Sequence, residues 1–225
     1  MNKKLLLVFI LLLNIGFIKA QDRPQLITDR TNGKVTIGFD VFTDIPTGEK
    51  YDNFNLRTIN QGVDGFLTYN FKIADSKHTF SAGIGFTAHN FYMKKAYVAD
   101  PYAAVTVFDT VADMQRSKIN VFYGDIPLEV NFRIADKFKI GLGFKIGFKL
   151  GAKTKFVGTI PGTDDDVRMK FNRINNLESM SYSATLRVAY RWINIYAAYQ
   201  FSRTFKDGAG PEIKPLSIGI GIRPF

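Results

Sequence analysis

The chain has 225 residues, 30 Lys plus Arg against 20 Asp plus Glu, a formal charge of +10 and no cysteine. Without cysteine there is no disulfide framework, thiolate metal site, cysteine nucleophile or lipidated-cysteine anchor. The basic residues alternate along strands or sit in loops, with no basic helix or aromatic platform, so nucleic acid is not an expected partner; anionic lipid head groups and lipopolysaccharide are.

Met1 to Ala20 has the form of a secretory signal peptide: Lys3 and Lys4, an apolar run from Leu5 to Leu13, and small Ala20 before Gln21-Asp22-Arg23-Pro24. Polar Asn14 and Gly16 interrupt the run and argue against an uncleaved anchor. Residues 21–32 are then an N-terminal periplasmic segment and 33–225 a single barrel domain. Cleavage removes Lys3, Lys4 and Lys19 and lowers the formal charge from +10 to +7. No later stretch is apolar for long enough to span as a helix, so only a barrel could cross a membrane.

Eight segments of strand length follow. The first, about Gly33 to Thr43, shows Val35, Ile37, Phe39 and Val41 on one face. The second, near Thr58 to Ile73, shows Val63, Leu67, Tyr69 and Phe71, and the third, near His78 to Tyr92, shows Phe80, Ala82, Ile84, Phe86 and Ala88. The fourth begins near Lys118 with Ile119, Val121 and Tyr123 at odd positions but ends with Leu128, Val130, Phe132 and Ile134 at even ones. That change of phase predicts a bulge around Gly124 to Pro127.

From Phe138 to Leu150 large apolar residues hold every even position and Lys or Gly every odd one, which suits a wall between lipid and a wet interior. This fifth strand extends toward Phe156. The sixth, near Ser179 to Trp192, shows Tyr182, Ala184, Leu186, Val188 and Tyr190. The seventh, near Asn194 to Phe205, shows Ile195, Ala197, Tyr199 and Phe201. The eighth, from near Ile213, shows Leu216, Ile218, Ile220 and Ile222. Tyr69, Tyr190, Trp192, Tyr199 and Phe201 are candidates for interfacial girdles.

Tight links at Ala74 to Lys77, Ala135 to Lys137 and Arg191 to Asn194 alternate with long ones at Asp44 to Arg57, Met93 to Ser117, Gly158 to Leu177 and Lys206 to Glu212. Short periplasmic turns and long outer loops are the pattern of an outer-membrane barrel. The expected fold is all-β: an eight-stranded antiparallel transmembrane β-barrel, an up-and-down meander.

The run Tyr123-Gly124-Asp125-Ile126-Pro127-Leu128-Glu129-Val130, followed by a tight turn and the strand carrying Gly141, Gly143 and Gly147, resembles the PorT-like outer-membrane β-barrel family. Members typically show a Tyr, an acid and Ile-Pro-Leu here. The resemblance covers about Gly33 to Phe225. It implies a small bacterial outer-membrane barrel, some members being linked to secretion or maturation of surface proteins. Phe225 also resembles the terminal aromatic read by the barrel-assembly machinery, although Pro224 precedes it and Ile218, Ile220 and Ile222 are out of phase with it.

The second face supplies Asp40, Asp64, Lys72, Glu129, Arg133, Lys139, Lys145, Lys149 and Arg187 as inward residues. Eight strands leave room only for side chains, so these charges must pair: Asp40, Asp64 and Glu129 with Arg133, Lys145, Lys149 and Arg187. Catalysis is not expected. His89, with Thr87 and Ser81 on its face, is the one plausible base of a lipid-modifying enzyme, and no Gly-x-Ser-x-Gly elbow is present. The Gly-x-Gly spacings lie inside strands with no following helix, which does not suit nucleotide binding. No metal or cofactor is expected, Asp164-Asp165-Asp166 lacking the further spacing of a calcium loop.

The second long loop, with Tyr97, Tyr102, Val105, Val107 and Phe108, is apolar enough to form a hairpin offering a protein-binding edge, or to fold onto the barrel rim. A membrane scaffold or adhesin-like module is the leading reading, and an accessory role in protein secretion is what the resemblance implies for it. A soluble barrel carrying an apolar ligand, with the two faces inverted, is the other alternative.

Overall fold

Alternating apolar and polar residues draw the chain into antiparallel strands of up to 22 residues. The computed structural model describes residues 34–48, 54–159 and 166–223; the signal and N-terminal segments, Asp164, Asp165 and Phe225 lie outside them. The strands are β1 (Val35–Thr47), β2 (Asn60–Lys72), β3 (Thr79–Tyr92), β4 (Ala96–Asp100), β5 (Val107–Thr110), β6 (Met114–Ala135), β7 (Phe138–Thr159), β8 (Asp166–Phe171), β9 (Met180–Tyr190), β10 (Ile193–Gln200) and β11 (Lys214–Ile222).

Eight of them close a ring in the order β1, β2, β3, β6, β7, β9, β10, β11 and back to β1, every pair antiparallel. Closure leaves the ring no free edge. β8 pairs with the far part of β7, and β4 and β5 form a separate hairpin. This is the expected all-β fold, an eight-stranded antiparallel up-and-down barrel. The three short turns share one end of the ring with the start of β1 and the finish of β11, and the long loops share the other.

The two faces sort as the periodicity predicts. Ile84 and Ile220 are each 67% exposed on the outside, whereas Asp40, Asp44 and Asn60 are wholly buried inside. The inverted, ligand-carrying arrangement is thereby overturned.

The expected bulge in the fourth segment is not where the phase changes. Along β6 every odd residue from Ser117 to Asp125 is buried, so Ile119, Val121 and Tyr123 point inward, not to the outside. Their apolar character reflects an apolar upper interior. The register irregularity lies across the ladder in β7: Tyr123 pairs with Lys149 and Phe122 with Gly151, leaving Leu150 extra. Below it Lys145 and Gly147 face in; above it Ala152, Thr154 and Phe156 do, and Lys153 and Lys155 turn outward. Pro127, lacking an N–H, coincides instead with a gap in the β3–β6 ladder between the Ala82–Leu128 and Gly85–Asp125 pairs.

Glycines on the inner face make room for rings from the neighbouring strand. Gly38 lies under the Phe66 ring and Gly62 under the Phe42 ring, with no space for a Cβ at either. Phe66 in turn lies under the Arg187 guanidinium, 4.6 Å from ring centroid to Cζ. Substituting Gly38→Ala is expected to push this ring out of its slot and cost about 1–3 kcal/mol. The urea midpoint of the refolded barrel measures this, against a neutral control at Gly151, where a Cβ meets nothing within 4 Å.

Candidate functional site

The barrel interior divides into a charged middle, an apolar lid at the loop end and a cationic mouth at the turn end. In the middle, β9 places Arg187 where Nη1 donates to Asp40 Oδ2 at 2.5 Å and Nε to Glu129 Oε2 at 3.1 Å. Arg223, just past β11, donates both terminal nitrogens to Glu129 at 2.9 Å. The Arg187 plane lies between Phe66 and Tyr196, so the cation is held by rings as well as carboxylates.

The next layer is built on Lys145 of β7. Its ammonium donates to Asp64 Oδ2 at 2.6 Å and Thr87 Oγ1 at 2.7 Å and lies 3.7 Å from Asp125 Oδ2. The Thr87 hydroxyl in turn donates a hydrogen bond to Asp125 Oδ2. Nearer the loop end, Asp44 accepts from His89 Nδ1 at 2.8 Å and from Ser217 Oγ at 2.6 Å.

Asp40, Asp64, Glu129, Lys145 and Arg187 thus meet in the lumen. Two other expected members do not. Arg133 sits exposed at the turn end and makes no ion pair among the described residues, and Lys149 donates to the Leu177 carbonyl at 2.6 Å, away from the acids. Their parity is right but their height along the barrel is wrong. Lys72 is likewise exposed at a strand end. Sequence reasoning missed Asp44 and Arg223, and it took Asp125 as a motif residue without seeing it as Lys145's second acid. All three share the inward parity of their strands, which was the available signal.

The remaining motif residues divide between compartments. Tyr123 is fully buried in the loop-end core, Ile126 is exposed on the outer face, and Leu128 is on the same outer parity.

His89 is not arranged as a catalytic base. Its ring lies 5.9 Å from Phe91 in a stacked arrangement and 5.5 Å from Phe42. Ser81 is bonded to Asn70 and Asn131, and Thr87 to Asp125, so neither hydroxyl engages the imidazole. Asp44 stands between the imidazole and Ser217, which anchors both rather than priming a nucleophile. Among the described residues no group of three or more His, Asp or Glu is arranged to hold a metal.

The loop end is closed by a second core. Phe54, Phe91, Met93, Ile119, Val121 and Tyr123 pack there with residues of the long loops, including Ile174, Leu177, Phe205 and Ile213. The β4–β5 hairpin does form, but it supplies Val98 and Phe108 to this core and Tyr97 to an adjoining one. Its tip is tied down by backbone bonds from Asn175 N to Pro101 O and from Thr106 N to Ala209 O, both 3.0 Å. Asn176 Nδ2 donates to Ala103 O at 2.9 Å. Of the expected binding-edge residues, Tyr102, Val105 and Val107 remain exposed.

No family model and no curated protein matches the chain. Among solved structures, that of Ail, the attachment invasion locus protein of Yersinia pestis, is 14% identical, with 84% of this chain and 97% of that chain covered and a TM-score of 0.42. The Ail backbone structure in a phospholipid nanodisc is 12% identical, with 84% and 98% covered and a TM-score of 0.36. A mutant of the Rh. blastica porin is 8% identical, with 84% of this chain and 99% of that chain covered and a TM-score of 0.20.

Substituting Lys145→Met is expected to leave Asp64 and Asp125 without their cation and cost about 3–5 kcal/mol. Adding Asp64→Asn and Asp125→Asn should recover more than half of the loss. Urea midpoints of the three refolded proteins test this; equal midpoints for the single variant and the parent would show that the network does not hold the lumen together.

Proposed function

We propose that the protein is a non-enzymatic outer-membrane barrel, a scaffold whose loop end binds partners in an adhesin-like manner. Closure of the lumen at the loop end, among the described residues, carries this reading. Charges in the middle are paired across strands, and a hydrophobic core lies over them, so among the described residues neither a diffusion path nor a reaction chamber opens to the loop end. What remains available there is the outer surface. Its exposed apolar side chains include Tyr102 and Val105 on the hairpin tip that the loops hold in place, and Val107 at the start of β5.

Lipid is the second expected partner. Outside the ring, Lys118 of β6 stands opposite Lys155 of β7, and Lys155 stands opposite Lys170 of β8. Like charges directly opposite repel, and phosphate groups of lipopolysaccharide in the outer leaflet would neutralise them. The short turns, the start of β1 and the finish of β11 then face the periplasm, into which the signal peptide would export the chain and where Phe225 would meet the barrel-assembly machinery. The motif from Tyr123 to Val130 supports a secretion-linked partner by its PorT-like resemblance.

The chain lacks cysteine, so single-cysteine variants report topology cleanly. Ala104→Cys, on the exposed hairpin tip, is expected to react with a membrane-impermeant maleimide on intact cells. Lys137→Cys, in the β6–β7 turn, should react only after the outer membrane is permeabilised. In membrane fractions the unboiled protein should run at a shifted gel mobility relative to the boiled one. Recovery in the soluble periplasm with no shift would reject the membrane reading, and reversed labelling would reject the orientation.

A further inference from the structure

The geometry points to a binding site for a small soluble polyanion, of the di- or triphosphate kind, in the turn-end mouth of the barrel. A cavity of about 330 Å³ opens there, lined by Lys77, Arg133, Lys139, Arg191 and Arg223 and by no Asp or Glu. Its size lies at the lower end of the range for small-molecule sites, about 300–1,000 Å³.

The five cations are not equivalent. Arg223 is already neutralised by Glu129 at the cavity floor. Lys77, Arg133, Lys139 and Arg191 make no ion pair among the described residues. Two of these four are forced together by register: Arg133 and Lys139 stand directly opposite each other across the β6–β7 ladder, on the inner face. An opposed like-charged pair is unfavourable in itself. It contrasts with the middle of the same lumen, where each cation has found a carboxylate.

A ligand with several phosphate oxygens would meet both guanidinium forks and lysine point charges, the donors best suited to it. The cavity opens at the turn-end mouth and its opposed cations lie on the inner face of the ring, so a soluble anion is favoured over a lipid head group held in the surrounding bilayer. Asn131 and Thr36 add neutral polar groups to the wall. This site is at the opposite end from the loop surface and does not depend on what binds there.

Trp192, the single tryptophan of the chain, lines the cavity and serves as the reporter. The refolded full-length mature protein in non-ionic detergent would be titrated with sodium tripolyphosphate while Trp192 emission is followed, with NaCl at matched ionic strength as the control. A saturable change is expected. Arg133→Gln with Lys139→Gln should weaken it by at least about tenfold, and either change alone by a smaller factor. Lys155→Gln, on the outer surface, should leave it unchanged. Heat-dependent gel mobility verifies that each variant is folded, and the single variants serve if the double one is not.

No saturable change, the same change with NaCl, or equal affinity in the folded Arg133 and Lys139 variants would overturn the site. So would a response confined to phosphatidylglycerol mixed micelles with none to tripolyphosphate, which would assign the cations to lipid.

Discussion

Closing eight strands into a ring leaves an interior too narrow for charges to keep their water, and the barrel depends on how Arg187 meets that constraint. One guanidinium on β9 donates to a carboxylate on β1, to another on β6 and to the side-chain oxygen of Asn194 on β10, and lies against rings from β2 and β10. A register slip of one residue in any of these strands would send its contribution to the outer face. The network therefore selects the register as well as filling the space, and the glycines beneath Phe66 and Phe42 let the rings approach closely enough to complete it.

Strand number, turn positions and the sidedness of most strands were legible because each depends on local alternation. The face assignment failed where composition and environment disagree. Ile119, Val121 and Tyr123 are apolar and face inward, because the loops bring Phe54, Ile174, Leu177 and Phe205 into the upper interior and make it a hydrophobic core. Nothing in the alternation of one strand says which side is water. The extra residue at Leu150 was masked in the same way: a Lys-rich pattern continues through the bulge, and only pairing with β6 shows the lysines changing sides.

The lumen acids and bases were likewise identifiable by parity, but their partners were not. Arg187 and Asp40 are separated by 147 residues, and their meeting depends on the strand order and stagger of the whole ring. Arg133 and Lys149 share the inward face with Lys145 yet sit at other heights, one in the open mouth and one beneath the loops. Arg223, which the sequence reading did not place among the cations, bonds Glu129 from 94 residues further along the chain.

The consequence is a barrel whose two ends are chemically unlike. At the loop end the interior is apolar and tied across by backbone bonds. At the turn end the interior remains open and carries cations that the lumen has not paired. Between them, Glu129 bonds to both Arg187 and Arg223, joining the paired middle to the mouth. An anion entering from the turn end would compete with Glu129 for Arg223 before it could reach Arg187, and to go further it would have to separate Arg187 from Asp40. The same ion pairs that fix the register therefore act as a floor, and they keep the chemistry of the two ends separate.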